Sequence, residues 1–303
     1  MARLPRDRED LVPPDSWDTH HHIFELDKYS LAEGRHFTPS IATREELVAF
    51  QKSLGFEHTC IAHGLPLGYD LSSLTDVLSH FNGAMRGIGV INHETITDAK
   101  LQELDKAGVR SVRLDFFRYE ANESFDKALE LIKAVANRVA PFGWSIQVQL
   151  KHAEWWDRLY DHVTSLPCPI VSDHFAFLRG VSWHADINDP LTQPGASGIL
   201  KLLRSGKLWI KVSAPYRVSR SPPEYADLQP LVRAFLQANP DRVLYGSDWP
   251  HTQLWENRIG KDPTVTEPFM EIDNETWLKT LKTWMSAEEW HKMMVDSPKA
   301  LYV

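Results

Sequence analysis

Asp18-Thr19-His20-His21-His22 closes a short apolar run near the start of the chain, and the reading of this stretch decides the fold. Side chains alternate along an extended strand, so His20 and His22 are expected on one side, where a His-x-His pair can converge on one metal ion or one substrate group. The competing reading is two polar residues near a strand end with no shared role. Three adjacent histidines are uncommon in an apolar strand and favour the first.

Working outward from residues 17–22, further apolar, β-branched runs follow at 59–63, 86–91, 109–115, 144–150, 169–174, 208–213 and 242–247. Longer amphipathic stretches separate them, and this alternation is the sign of repeated βα units with a parallel sheet. The spacing predicts an α/β fold, a (β/α)₈ TIM barrel, and one domain spanning residues 1–303, a length that such barrels reach with a single core. Thr43 with Glu46 forms a capping box for a helix that Gly55 stops, and Thr97 caps one that ends at Gly108. Further helices are expected at 123–139, 153–164, 198–205 and 223–238, with Ser286 and Glu289 opening a last one. The longer connections 176–194 and 249–267 both follow a strand, so they are expected to cover the C-terminal mouth where barrels build active sites.

Composition excludes several classes. The chain is 43% hydrophobic and 24% charged, with a net charge of -8 and no Lys/Arg run, which argues against a nucleic-acid partner. Cys60 and Cys168 lie far apart in apolar contexts and read as small buried residues, which suits a reducing compartment. The first residues carry no apolar signal core, and no run of about 18 apolar residues occurs, so a cytoplasmic protein with no membrane partner is expected.

Polar residues at the ends of the predicted strands carry the chemistry. Asp173-His174 closes the sixth run and Tyr245-Gly246-Ser247-Asp248-Trp249-Pro250-His251 the eighth. Each could be a satisfied hydrogen-bonded pair, but their joint placement at strand ends favours a site. Arg113 and Arg118 near the fourth run, and Arg217 beyond the seventh, offer guanidinium forks that suit planar carboxylates, so an anionic small molecule is expected. Gln147 and Gln149 on the fifth run, with Tyr216, His63, Trp249 and His251, are candidate pocket walls. Trp155, Trp156 and Trp277 fall in helical stretches and are expected to be packing residues.

The ordered set of His20 and His22 on the first strand, His174 on the sixth and Asp248 on the eighth resembles the amidohydrolase superfamily. The resemblance runs to Asp296-Ser297-Pro298-Lys299-Ala300-Leu301-Tyr302, which looks like that group's terminal helix motif. It implies that the four residues act as metal ligands or acids beside a metal, with Asp248 as general base. The fourth strand lacks the bridging Lys or Glu of binuclear members and offers Arg113 and Asp115. The fifth offers Gln147 and Gln149 in place of a histidine, and His152 lies beyond it. That pattern looks like the subgroup that includes 2-pyrone-4,6-dicarboxylate lactonase. It implies a hydrolase that opens a lactone ring without a required metal: Asp248 activates water, and His20, His22 and His174 donate to the carbonyl oxygen. Three alternatives stay open: a Zn²⁺- or Mn²⁺-dependent amidohydrolase or decarboxylase using the same four residues, a lactone isomerase, and a binder without catalysis. The sequence leaves self-association into a homo-oligomer open.

Overall fold

The computed structural model describes residues 1–303. Eight parallel strands roll into a barrel: β1 (Trp17–His21), β3 (His58–Ala62), β4 (Met85–Gly89), β5 (Val109–Arg113), β6 (Ser145–Val148), β7 (Ile170–Ser172), β8 (Leu208–Ser213) and β9 (Val243–Gly246), each paired with the next. β9 returns to β1 through a bridge between His21 and Trp249, with His22 N donating to Trp249 O at 2.8 Å and Asp248 N to His20 O at 2.8 Å. Gly246 permits this closure, because a Cβ there would lie 2.7 Å from the Cβ of His20. All eight expected strands are present within a residue or two of their predicted ends.

The helices follow their caps. In α1 (Arg44–Leu54) the Thr43 hydroxyl accepts from Glu46 N and the Glu46 carboxylate from Thr43 N, and Gly55 ends it at φ 90°. Such a cap contributes about 1 kcal/mol. Thr97, whose hydroxyl accepts from Lys100 N, and Gly108 bound α3 (Asp98–Ala107), and Ser286 with Glu289 opens α9 (Ala287–His291) with a capping box. The helix expected over 223–238 is shorter: α7 spans Gln229–Ala238, because Tyr225 takes φ 50°, which a right-handed helix cannot contain. α2 (Ser72–His80) went unpredicted, since Leu71 offers no side-chain cap to announce it, and α8 (Asn274–Thr283), capped by Asp273, was also missed.

Two apolar layers hold the barrel. The larger one lies between sheet and helices and includes the buried Trp156 and Trp277. A separate cluster of Trp17, Cys60, Ala62, Ile88, Val171, Trp209 and Leu244 fills the interior, with Tyr302 from α10 (Ser297–Tyr302) against it. Cys60 and Cys168 are buried free thiols, as expected. No helix is long and apolar enough to cross a membrane. At the mouth, β2 (Thr38–Pro39) pairs with β10 (Thr266–Glu267), which ties the loop after β1 to the loop after β9.

Candidate active site

The site begins with an irregularity in β1. Trp17 and Asp18 pair with His58 and Thr59, but His21 pairs with Ile61, so β1 carries one residue more than β3 over this stretch. This bulge shifts the alternation: Trp17 belongs to the interior cluster, and three residues later His20 also turns inward. His20 and His22 do share a side, at the mouth. His21 is buried away from them, with neither ring nitrogen hydrogen-bonded. Asp18 works as a brace, accepting from Ser247 N at 2.8 Å, Ser247 Oγ at 2.5 Å and Gln51 Nε2 at 2.7 Å.

The three expected imidazoles gather on one oxygen. Asp248 Oδ1 lies 3.4 Å from His20 Nε2, 3.5 Å from His22 Nε2 and 3.9 Å from His174 Nε2. Its other oxygen accepts from Tyr216 OH at 2.6 Å and Arg217 Nε at 3.0 Å. Asp248 and His174 have φ of 62° and 51°, a region costly for side chains with a Cβ. Such conformations persist where surrounding contacts over-determine them and cluster at functional sites. Although burial pushes the Asp248 carboxyl up, Arg217 and the imidazoles hold it well below the usual carboxylate range. His22 donates from Nδ1 to Ala62 O at 2.7 Å, which leaves Nε2 aimed at Asp248.

Below this level lies a second polar layer. Gln147 Nε2 donates to Asp173 Oδ2 at 3.0 Å, and Lys211 Nζ donates to Gln147 Oε1 at 2.6 Å and Thr19 O at 2.7 Å. His20 Nδ1 sits over them, 3.3 Å from Asp173 Oδ1 and 3.3 Å from Lys211 Nζ. Burial lowers the Lys211 pKa to about 8, with Asp173 pulling it back up. Lys211 escaped the sequence reading because it stands alone in the apolar run Leu208–Ser213. Its parity with Trp209 was the available signal.

A cavity of about 650 Å³ opens above Asp248. Of the expected residues, His22, His174, Asp248, Arg113, Gln149 and Arg217 line it, whereas the others are placed elsewhere. Gln147 lies one layer deeper than Gln149, because two positions along a strand on the same face move a side chain down the barrel. His20 is likewise beneath the floor. Tyr216 reaches the site only through Asp248. His63 lies under the loop after β3, Trp249 stacks on Phe50 at 6.0 Å, and His251 meets Asn274 Nδ2 at 3.2 Å. Arg118 leaves the cavity for Asp115, 3.2 Å away, and Glu33 O, and borders a separate surface hollow with Tyr69. Arg217 lines the wall but commits its fork to Asp248, Thr252 and Gln253. Arg113, buried and donating only to Gln149 Oε1 at 3.3 Å, is the least committed guanidinium.

Both long loops cover the cavity as expected, through Phe177 and Arg179 from one and Leu254, Trp255, Glu256 and Arg258 from the other. His36 was not foreseen. It also lines the cavity, beside Phe37 and Phe117.

Burial lowers the pKa of His36 and His174 to about 3 and of His63 and His251 to about 4. Each ring is neutral when folded but binds a proton in the unfolded chain below about pH 6.5. The unfolded chain therefore holds more protons from about pH 6.5 down to 4, and stability falls with pH there, by about 1.4 kcal/mol per unit per ring. Asp18 and Asp115, raised by burial, act in the opposite sense but are fewer. The urea midpoint is expected to drop steadily from pH 7 to pH 5. A midpoint that holds constant would show that these rings are not buried neutral.

His20 Nε2, His22 Nε2 and Asp248 Oδ1 lie close enough together to hold one divalent ion. The unpartnered Nε2 of His20 and the Nδ1-anchored His22 fit that use. Nothing on β5 or β6 supplies ligands for a second ion beside them, since these strands present Arg113 and Gln147, with Gln149 just beyond β6.

A family model described as Amidohydrolase matches residues 17–302. A 2-pyrone-4,6-dicarboxylate hydrolase of Comamonas testosteroni is 29% identical over 301 residues, covering 96% of this chain and 91% of that protein. A 4-sulfomuconolactone hydrolase of Hydrogenophaga intermedia is 28% identical over 294 residues, covering 96% and 90%. A solved structure from Agrobacterium tumefaciens shares the fold, with a TM-score of 0.76 at 22% identity and 98% of each chain covered.

Proposed function

This chain belongs to the amidohydrolase family, and from that premise we propose that it hydrolyses the lactone ring of a small, carboxylate-bearing substrate. The observation that carries the reading is the division of labour at Asp248. One oxygen is held by Tyr216 and Arg217, and the other faces three imidazoles at the floor of a ligand-sized cavity. The names of the two hydrolase relatives, both of which act on cyclic esters, point to the same bond.

In this mechanism Asp248 Oδ1 takes a proton from water as the water oxygen attacks the lactone carbonyl carbon. Negative charge collects on the carbonyl oxygen, where the His174 ring, anchored by Ser213 Oγ at Nδ1, offers an Nε2–H at the cavity wall. The tetrahedral adduct then collapses, the ring C–O bond breaks, the proton held by Asp248 passes to the departing ring oxygen, and the new carboxylic acid loses the second proton of the water to solvent, leaving a carboxylate and a hydroxyl. Arg113 receives a substrate carboxylate across the cavity from Asp248. Its charge-assisted hydrogen bonds, each about 1.5–3 kcal/mol, favour an anionic lactone over a neutral one.

We assign this chemistry to the chain without a required metal. Asp248 already has Arg217 as countercharge and Asp173 has Lys211, so a divalent ion would add charge that these carboxylates balance only in part. The second reading is a metal-dependent enzyme, favoured by the Nδ1 anchor of His22, which leaves its Nε2 facing Asp248. An ion held by His20, His22, His174 and Asp248 would supply electrophilic polarisation of the carbonyl.

The test is proton release from anionic and neutral lactones by chelator-treated protein with metal content measured. Turnover that survives chelation, prefers carboxylate-bearing lactones and shows a KM raised about 10- to 100-fold in Arg113→Met is expected. Activity that vanishes on chelation and returns with Zn²⁺ or Mn²⁺ overturns the metal-free assignment. Absence of turnover on every lactone overturns the reaction class.

A further inference from the structure

Lys211 is fully buried, and the chemistry above gives it no contact with substrate. A buried ammonium is costly unless it is paired and hydrogen-bonded, so its position calls for a reason. Two of its three N–H groups go to Thr19 O and Gln147 Oε1. The third has His20 Nδ1 within 3.3 Å.

His20 has two neutral forms, and its surroundings do not treat them alike. With the proton on Nδ1, the ring would donate to Asp173 Oδ1 at 3.3 Å and turn a lone pair toward Asp248 Oδ1 at 3.4 Å, a repulsive contact with a carboxylate. With the proton on Nε2, the ring points an N–H at Asp248 Oδ1, 3.4 Å away, and Nδ1 is free to accept from below. The layer beneath is built for the second form. The Gln147 amide has one consistent orientation: turned over, it would set its NH₂ against the Lys211 ammonium and its oxygen against Asp173. In that orientation Gln147 Nε2 lies 3.4 Å from His20 Nδ1, so two donors face this nitrogen. Asp173 Oδ1 is left without a hydrogen bond, and the Lys211 charge 3.9 Å away compensates it.

We propose that Lys211 is a positioning residue that keeps Nδ1 of His20 unprotonated, so that His20 turns an Nε2–H, and not a lone pair, toward Asp248 Oδ1, the oxygen that takes the proton from water. The tautomer is a property of the resting protein, and only its catalytic consequence rests on the lactone-opening reading. In physical terms Lys211 outcompetes Asp173 for Nδ1. The orienting partner beneath a catalytic imidazole is usually an acceptor, and here it is a cation, which selects the opposite tautomer.

The experiment is long-range ¹H–¹⁵N correlation on the full chain labelled with ¹⁵N-histidine at pH 7, with the His20 signals identified by their loss in His20→Gln. The wild-type protein is expected to show His20 protonated at Nε2. Lys211→Met is expected to move the proton to Nδ1 and to lower kcat about 10- to 100-fold with a smaller change in KM. In the double variant Lys211→Met/Asp173→Asn the carboxylate that competes for the Nδ1 proton is gone as well, so the shift toward Nδ1–H should be smaller than in Lys211→Met alone. A purely structural lysine would show no such difference. A wild-type spectrum with the proton on Nδ1 overturns the proposal whether or not any variant folds. So does a Lys211→Met protein that keeps Nε2–H. Failure of every lactone as substrate would leave these spectra unchanged and would count against the proposed reaction alone.

Discussion

Asp248→Asn is expected to lower kcat on the lactone substrate by about three orders of magnitude while KM stays within a few-fold. General-base catalysis contributes about 10²–10⁴-fold, and here the lost group also supplies the negative charge around which three imidazoles are arranged. The substitution keeps the shape of the side chain. The amide oxygen can still accept from Tyr216 and Arg217 at the Oδ2 position, and the NH₂ then takes the place of the reactive oxygen. Steady-state kinetics on protein of native near-ultraviolet circular dichroism checks this. A kcat within tenfold of the wild type would remove Asp248 from the role of base.

Arg217→Met is expected to cost about 3–5 kcal/mol of stability, the usual effect of removing one partner of a buried ion pair, and to depress kcat more than it raises KM. The split decides between two roles. The sequence points to Arg217 as a carboxylate receptor, in which case KM alone would rise. The structure spends its donors on Asp248 and on the loop after β9. Removing Arg217 also removes the main influence that lowers the Asp248 pKa, and burial then raises it. Because the reaction needs the carboxylate, the acid limb of the kcat profile should move to higher pH in the variant. A limb that stays in place, or a KM effect without a kcat effect, would return Arg217 to substrate binding. Denaturant titration and a pH profile from 4 to 8 measure both.

His22, His174 and Asp248 were legible because each sits where an apolar run meets its loop, a position that a barrel turns into the mouth of the site. Arg113 and Gln149 were legible for the same reason. Gln147, Trp249, His63 and His251 were drawn into the candidate wall, and Arg118 into the carboxylate site, by proximity in sequence to strand ends. Proximity sets neither the depth of a side chain in the barrel nor the face of the strand it occupies. The case of β1 is instructive. Simple alternation correctly puts His20 and His22 together, yet carried back to Trp17 it would place that residue on the opposite face, and the bulge brings it inside.

What the sequence by itself determined is therefore the repeating pattern: eight strands, most of the helices with their caps, and the strand ends at which acid and imidazoles stand. These follow from interactions between residues a few positions apart, namely alternation, capping and glycine stops. Only the tertiary structure decided that Arg217 serves Asp248, that Arg118 turns to Asp115, and that Lys211 lies under His20. Each of those pairings joins strands and loops that meet only when the barrel closes, and a buried charge takes whichever partner the closed barrel brings within hydrogen-bonding reach.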